Sequence, residues 1–309
     1  MRPTCQGLLR AFHRGLLASV ICLCSLVISA AGSAAHSAEK DDIVWALTPL
    51  PPAMLETNGE ITGYGVDILD WFADQLPQYT HRKEIVPLAR LLQTITGPGT
   101  FCNIGMNPTP ERQQILHFTD AVLPHLPVSL IVDAARDHKL KPFLTDNGQV
   151  DLDLLITEGK LDGGLRSKRS YGPFIDRIVQ DHRNNPRISQ IGNDANFLQL
   201  IALGRMDWTL YLPAEAEYHR RTKLPDTVFS SWQIAGNDQL MPASIACSKN
   251  ATGENIVTEI NDLVRKHPEM PWAKFYSSSL SDADQIRYQQ ALKHYSSGRK
   301  TNPTPFADQ

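Results

Sequence analysis

The residue pattern predicts an α/β protein built as two α/β lobes, with mixed, mainly parallel sheets joined by a two-strand hinge. Three observations carry this. Strand and helix signals alternate along the chain, as parallel sheets with crossover helices require. The second half echoes the first: helix, glycine, strand, then a proline that opens the next helix. Two short crossovers, near 132–139 and 232–240, would join the halves and leave a cleft between them.

The elements follow in order. Ile43–Leu47 reads as a strand stopped by the proline-rich TPLPP segment. Val66–Leu76 is an amphipathic helix with Val66, Leu69, Ala73 and Leu76 on one face and Asp67, Asp70 and Asp74 on another. His81–Val86 is strand-like, Leu88–Ile95 helical with Gly97 as its stop, and Phe101–Met106 a buried strand. Leu126–Val132 is a strand that leads into the charged segment DAARDHKLK. Beyond it come strand Gly163–Arg166, helix Tyr171–Gln180 begun by Ser170, helix Ala195–Leu203 ended by Gly204, and strand Trp208–Leu212 with Pro213 opening a helix. Thr227–Ile234 and Pro242–Cys247 are later strands; Glu254–Lys266 and Asp282–His294 are helices, the last capped by Ser281 with Asp284 nearby. Residues 298–309 read as a loose tail.

The 309 residues carry 30 basic and 33 acidic side chains. Residues 1–38 have the pattern of a signal peptide: Arg2, Arg10 and Arg14, then the uncharged apolar run Leu16–Ala31, then small residues. Cleavage after Ala31, Ala35 or Ala38 fits, and the run is short for a membrane anchor, which needs about 20 residues. Neither Cys22 nor Cys24 follows a small residue, which disfavours lipid attachment. A mature chain in the periplasm is expected, with 27 basic against 33 acidic groups, a net charge near −6. No basic run interleaved with aromatics occurs, so nucleic acid is not an expected partner. Cys102 and Cys247 remain after export, an even pair in an oxidising compartment. They read as a disulfide between neighbouring strands; a reactive thiol or a metal-ligand pair is the alternative.

Asn103–Asp120, NIGMNPTPERQQILHFTD, is the most telling stretch. A strand ends in Asn-Pro-Thr-Pro, and a helix then opens with Glu111 and Arg112 in its first turn. Free N–H groups at such a start attract anions, and sheets of this class bind ligands outside the carboxyl ends of their strands.

The order TGYGVDIL, then GMNPTPERQQILHFTD, then ALGRMDW resembles the family 3 extracellular solute-binding proteins, over about Asp42 to Lys274. The resemblance implies a type II bilobal periplasmic receptor that delivers amino acids and related solutes to an ABC importer. It implies lobe 1 from 39–133 plus 241–280, lobe 2 from 137–235, and a C-terminal helix over 281–297. Carried over by position, Arg112 matches the arginine that pairs with a ligand carboxylate, a task its fork of donors suits. Its alternative is a surface ion pair with Glu111 or Asp120. Asn107 matches a ligand-bonding strand-end position, and Tyr64 an aromatic that packs on the solute. Arg169, Ser170 and Tyr171 occupy the second-lobe corner that offers amides and hydroxyls; the competing reading is an ordinary helix cap with solvated Arg166 and Lys168.

The departures matter as much. Leu212 stands where receptors for α-amino acids place the Asp that holds the ammonium. Leu50, Ala121 and Val122 replace positions that are usually aromatic or Pro-Tyr. An unpaired buried ammonium costs several kcal/mol, so a carboxylate lacking it is a fitting ligand. Glu215, one turn on, could compensate, although a solvated helix-face Glu is the competing reading. Two other functions stay open: a dehydratase-type enzyme using Glu215 or Asp207, and an orphan, ligand-sensing receptor domain with a filled pocket. No Gly-x-Ser-x-Gly, Walker loop or His-Glu-x-x-His occurs, and His81, His117, His125, His138, His182, His219, His267 and His294 lack ligand spacing. No catalytic residue, cofactor or metal is therefore expected. The expected partners of this monomer are a small solute and an ABC permease or membrane sensor.

Overall fold

The computed structural model describes residues 40–167, 169–192 and 196–301, with side chains to 296. The signal-peptide reading, Lys168 and residues 302–309 lie outside the described residues. Among the described residues no helix is long and apolar enough to cross a membrane.

The first sheet grows around β1 (Asp42–Leu47), buried over its last five residues. Such a run fits a strand covered on both faces rather than on one. β1 pairs in parallel with β4 (Thr80–Ile85) and β5 (Phe101–Met106). β13 (Met241–Ser248) returns antiparallel against β5, and β6 (Leu116–Phe118) and β7 (Leu123–His125) pair with its other edge. Ahead of them, β2 (Leu55–Thr57) and β3 (Glu60–Thr62) form a hairpin that the sequence reading missed. Asn58 and Gly59 both have positive φ, 53° and 82°, the signature of a two-residue type I′ turn.

The second sheet has the order β10 (Ile188–Ile191), β9 (Gly163–Arg166), β11 (Trp208–Tyr211), β8 (Ser129–Asp133), β12 (Phe229–Trp232). β8 runs antiparallel to both its neighbours. The strand expected at Leu126–Val132 is therefore split from its first residues, and the chain crosses between sheets at 126–128 rather than at 132–139. Pro127 removes a ladder donor there. The return crossing spans 233–240, within the expected 232–240.

Helices flank both sheets: α1 (Tyr64–Asp74), α2 (Leu88–Ile95), α3 (Pro110–Ile115), α4 (Leu152–Glu158), α5 (Pro173–Asp181), α6 (Phe197–Ala202), α7 (Pro213–Lys223), α8 (Ala251–Lys266), α9 (Ala273–Ser277) and α10 (Asp282–Thr301). The charged segment after β8 forms a 3-10 helix, Ala134–Phe143, opened by Asp133, whose carboxylate accepts from the Ala135 N–H. α10 continues four residues into the stretch expected to be tail. Its start carries the expected cap, with the Asp284 N–H on Ser281 Oγ at 3.2 Å and that hydroxyl on the Asp284 carboxylate at 3.0 Å.

Each half has its own apolar centre. Trp45, Phe72, Trp272, Tyr276 and Tyr288 are buried in the first; Leu130, Leu165, Trp208 and Leu210 fill the second. Two arginines fasten the halves together. Arg221 of α7 donates to the carbonyls of Ser278 and Leu280, and Arg287 of α10 reaches the hydroxyls of Ser129 in β8 and Ser231 in β12.

Gly163 shows why the second core tolerates no side chain at that point. A Cβ there would come within 2.2 Å of the ring of Trp208, its register partner in β11. Gly163→Ala is expected to lower stability by about 1–3 kcal/mol through overpacking, read as a reduced urea midpoint.

Candidate functional site

β5, β9 and β11 each deliver polar groups at their carboxyl ends. From β5, Thr109 caps α3, with its hydroxyl oxygen accepting the Arg112 N–H at 3.3 Å. The Arg112 guanidinium folds back and donates to the Asn107 carbonyl at 3.0 Å. The surface ion pair considered for it is absent: Asp120 lies 4.0 Å from Arg265 instead. Among the described residues no carboxylate sits within ion-pair distance of Arg112. Asn107 is exposed beside it.

The ends of β9 and β11 build a tighter cluster. Arg166, the last residue of β9, donates through Nη2 to Tyr211 Oη at 2.9 Å and forms an ion pair with a Glu215 oxygen at the same distance. Arg169 forks onto both Glu215 oxygens, at 3.0 and 2.7 Å. The side chains of Arg166, Arg169 and Glu215 are only 19%, 20% and 12% exposed. Glu215 is thus not a solvated helix-face residue, and Arg166 is not a solvated neighbour of a cap. Both sequence readings are corrected for one reason: β9 and the first turn of α7 face each other, which spacing alone does not disclose. The two guanidiniums also lie over aromatic faces, Arg166 at 4.7 Å from the Tyr211 ring centre and Arg169 at 5.6 Å from that of Tyr171. The Arg166 Nε is buried and has no partner.

The intervening corner is held by Asp176. Its carboxylate accepts the Ser170 hydroxyl at 2.5 Å and the Tyr171 N–H at 2.7 Å. The cap of α5 is Gly172 rather than Ser170. Tyr171 in turn uses its hydroxyl oxygen to accept the Arg166 N–H at 2.8 Å. Burial pulls the Arg169 pKa down, but the bonds and charge of Glu215 outweigh it, so the guanidinium sits above its ordinary value. Burial pushes the Tyr171 and Tyr211 hydroxyls up, against the pull of the arginines.

Tyr64, from the first half, stands edge-on to Tyr276 at 5.3 Å. Burial raises its pKa, and the negative charge of Glu215 adds to the effect. Of the six site residues expected from sequence, Arg169 meets Glu215, Tyr171 lies against Arg169, Ser170 braces their corner, and Tyr64 packs on Tyr276 in the first core. Arg112 and Asn107 form a separate pair, with no hydrogen bond or ion pair to the others. Arg166, Tyr211 and His219 were missed; the density of arginines in LRSKRSY was the available signal for the first.

The substituted positions do not fill the cleft as a group. Leu50 is 65% exposed, whereas Ala121 and Val122 are fully buried, Val122 within the first core. Leu212 caps α7 and packs on the second core. Asp207 precedes β11, at the opposite end from Tyr211, where it accepts from Lys139 and from the Asp162 N–H at 2.9 Å each. It is a structural tie away from the cluster. Cys102 and Cys247 are cross-strand partners joined in a disulfide. No group of three His, Cys, Asp or Glu side chains among the described residues is placed to hold a metal.

His219, one turn beyond Glu215, lies 5.8 Å from the Tyr211 ring with its Nδ1 buried and unpartnered. Burial lowers its pKa below 6.5, and the positive charge of Lys223 adds to this. His125 is lowered by burial as well. Folded, both take up a proton at lower pH than the unfolded chain, which does so as pH falls through about 6.5. Their contribution is therefore present above that pH and lost below it. The urea midpoint is expected to drop between pH 7.5 and 5.5, and less so in His219→Gln.

No protein-family model and no curated protein matches the chain. Solved structures do. It is similar to the second substrate-binding domain of GlnP from Lactococcus lactis in its open conformation, at 13% identity and TM-score 0.57, covering 79% of this chain and 97% of that one. The second substrate-binding domain of a putative amino-acid ABC transporter from Streptococcus pneumoniae matches at 11% identity and TM-score 0.56, over 78% and 100%. A structure from work on glutathione import through GshT and the cystine importer TcyBC of Streptococcus mutans matches at 14% identity and TM-score 0.55, over 80% and 100%. At these identities the likeness lies in the backbone, and the chain has the type II bilobal fold of amino-acid ABC transporter substrate-binding domains.

Proposed function

We propose that this protein is a non-enzymatic receptor that captures a small carboxylate-bearing solute between its lobes and hands it to an ABC importer outside the cytoplasm. The observation that carries the reading is the concentration of guanidinium and aromatic groups at the carboxyl ends of β5, β9 and β11. That is where sheets of this class bind ligands. Arg112 supplies a half-buried fork with no carboxylate within ion-pair distance among the described residues, suited to an acid arriving from solvent. Capture would work by closure: contacts from both lobes favour the closed state over the open one. The signal-like N-terminus and the likeness to substrate-binding domains of amino-acid ABC transporters support export and transport. Leu212 and the engaged Glu215 leave no free carboxylate at the ammonium position, which favours an organic acid over a standard amino acid.

The enzyme reading is weaker. Both Glu215 oxygens already accept from guanidiniums, and Asp207 sits away from the cluster. A thermal-shift screen of the mature protein against organic acids, amino acids and short peptides tests the proposal. Stabilisation by at least one acid, lost in Arg112→Ala, is expected; no stabilisation across a broad panel refutes it.

A further inference from the structure

Among the described residues, the second-lobe cluster carries more positive charge than it neutralises. Arg166 and Arg169 share one carboxylate, that of Glu215. Among the described residues the other acidic group at the corner, Asp176, is turned onto the Ser170 hydroxyl and the Tyr171 N–H. Burial and the charge of Lys223 lower the His219 pKa, and an imidazole brings no negative charge in either form. Among the described residues, two guanidiniums against one carboxylate leave a net charge of +1 in a largely buried setting, where uncompensated charge is costly. The Arg166 Nε adds a buried donor with no acceptor. Meanwhile Glu215 occupies Arg169 in the two-pronged geometry that a free carboxylate would adopt.

We infer that the second-lobe half of the cleft is itself an acid subsite, with Glu215 standing in for the ligand, so that the solute is a small dianion carrying two acidic groups. One group meets Arg112 in the first lobe. The other is received by Arg166 and Arg169 in exchange with, or alongside, the Glu215 carboxylate. This assignment rests on the receptor reading above and narrows its substrate class. It also accounts for Leu212: a dianion without an ammonium has no use for a carboxylate there.

The exchange has a consequence for affinity. Glu215 competes with the incoming acid for the same donors, so the receptor binds its solute more weakly than the arginines alone would allow. Removing that competitor tightens binding to dianions, whereas removing an arginine abolishes the preference for them.

The test is calorimetric titration of the mature protein with matched acids: succinate, glutarate and adipate against butyrate, pentanoate and hexanoate, with glutamate and arginine alongside. At least one dicarboxylate should bind about tenfold or more tightly than the monocarboxylate of equal length, the scale of one charge-assisted contact. Arg169→Gln should erase that ratio, and Arg169→Lys, which keeps the charge but not the fork, should retain part of it. Glu215→Gln should raise dicarboxylate affinity. Monocarboxylates binding as tightly as dicarboxylates, arginine binding best, or an unchanged ratio in Arg169→Gln would each overturn the dianion assignment while leaving a receptor. A fall in affinity in Glu215→Gln would overturn it too, by making Glu215 a ligand contact rather than a competitor. Binding by none of these probes, with stabilisation by other solutes in the broad screen, removes the acid subsite alone; silence in both removes the receptor reading as well.

Discussion

Glu215→Ala is expected to lower the unfolding free energy by about 3–5 kcal/mol. The loss comes less from the bonds removed than from what they leave behind. Arg166 and Arg169 would remain four-fifths buried, facing each other with no counter-charge, and stripping one partner from a buried ion cluster costs about that much. An exposed pair would cost a fraction of it, about 0–1 kcal/mol, so the size of the effect reports whether the cluster is truly shielded. Replacing all three residues by apolar side chains of similar volume should cost much less than Glu215→Ala alone, because no charge is then stranded. Equilibrium urea unfolding of the single and triple variants checks both statements. A loss under 1 kcal/mol in Glu215→Ala would mean that the cluster is open to water.

Breaking the Cys102–Cys247 disulfide is expected to have an effect of similar size by a different route. The bond closes a span of 145 residues, from a central strand of the first sheet to the strand that returns from the second lobe. In the chain-entropy view, a loop of that length contributes about 5 kcal/mol by restricting the unfolded chain. The return of β13 to β5 is the step that joins the two chain ends into one lobe. Cys102→Ala with Cys247→Ala should therefore lower Tm markedly, and reductant should lower Tm of the wild type but not of the double variant. An equal response of both proteins to reductant would show that the bond does not contribute.

Much of the fold was legible because local signals agreed with the global one. The helix at Leu88–Ile95 and the strand at Phe101–Met106 appear with the bounds their sequence implies, since Pro87, Gly97 and the Asn-Pro-Thr-Pro segment punctuate them. Cys102 and Cys247 could be paired from compartment and neighbouring strands. What escaped was short or weakly patterned. β10 has the burial of an edge strand, β6 and β7 are three residues each, and α4 and α9 span seven and five. The hairpin at Asn58-Gly59 carried a readable turn signal that was passed over. At the site, single residues were found and their partnerships were not. Tyr64, Arg169 and Tyr171 were expected from position, yet the engagement of Glu215 by two arginines depends on β9 and α7 meeting in space. Spacing along the chain, 46 residues from Arg169 to Glu215, holds no trace of that.

The central claim is that guanidiniums from both lobes hold one small acid between them. It is tested most directly by titrating the tightest-binding acid into the wild type, Arg112→Gln and Arg169→Gln, each shown by circular dichroism to be folded. Either substitution alone is expected to weaken binding by about tenfold or more, the worth of a charge-assisted contact. Full affinity in either variant would place the acid on one lobe only and contradict capture between the two.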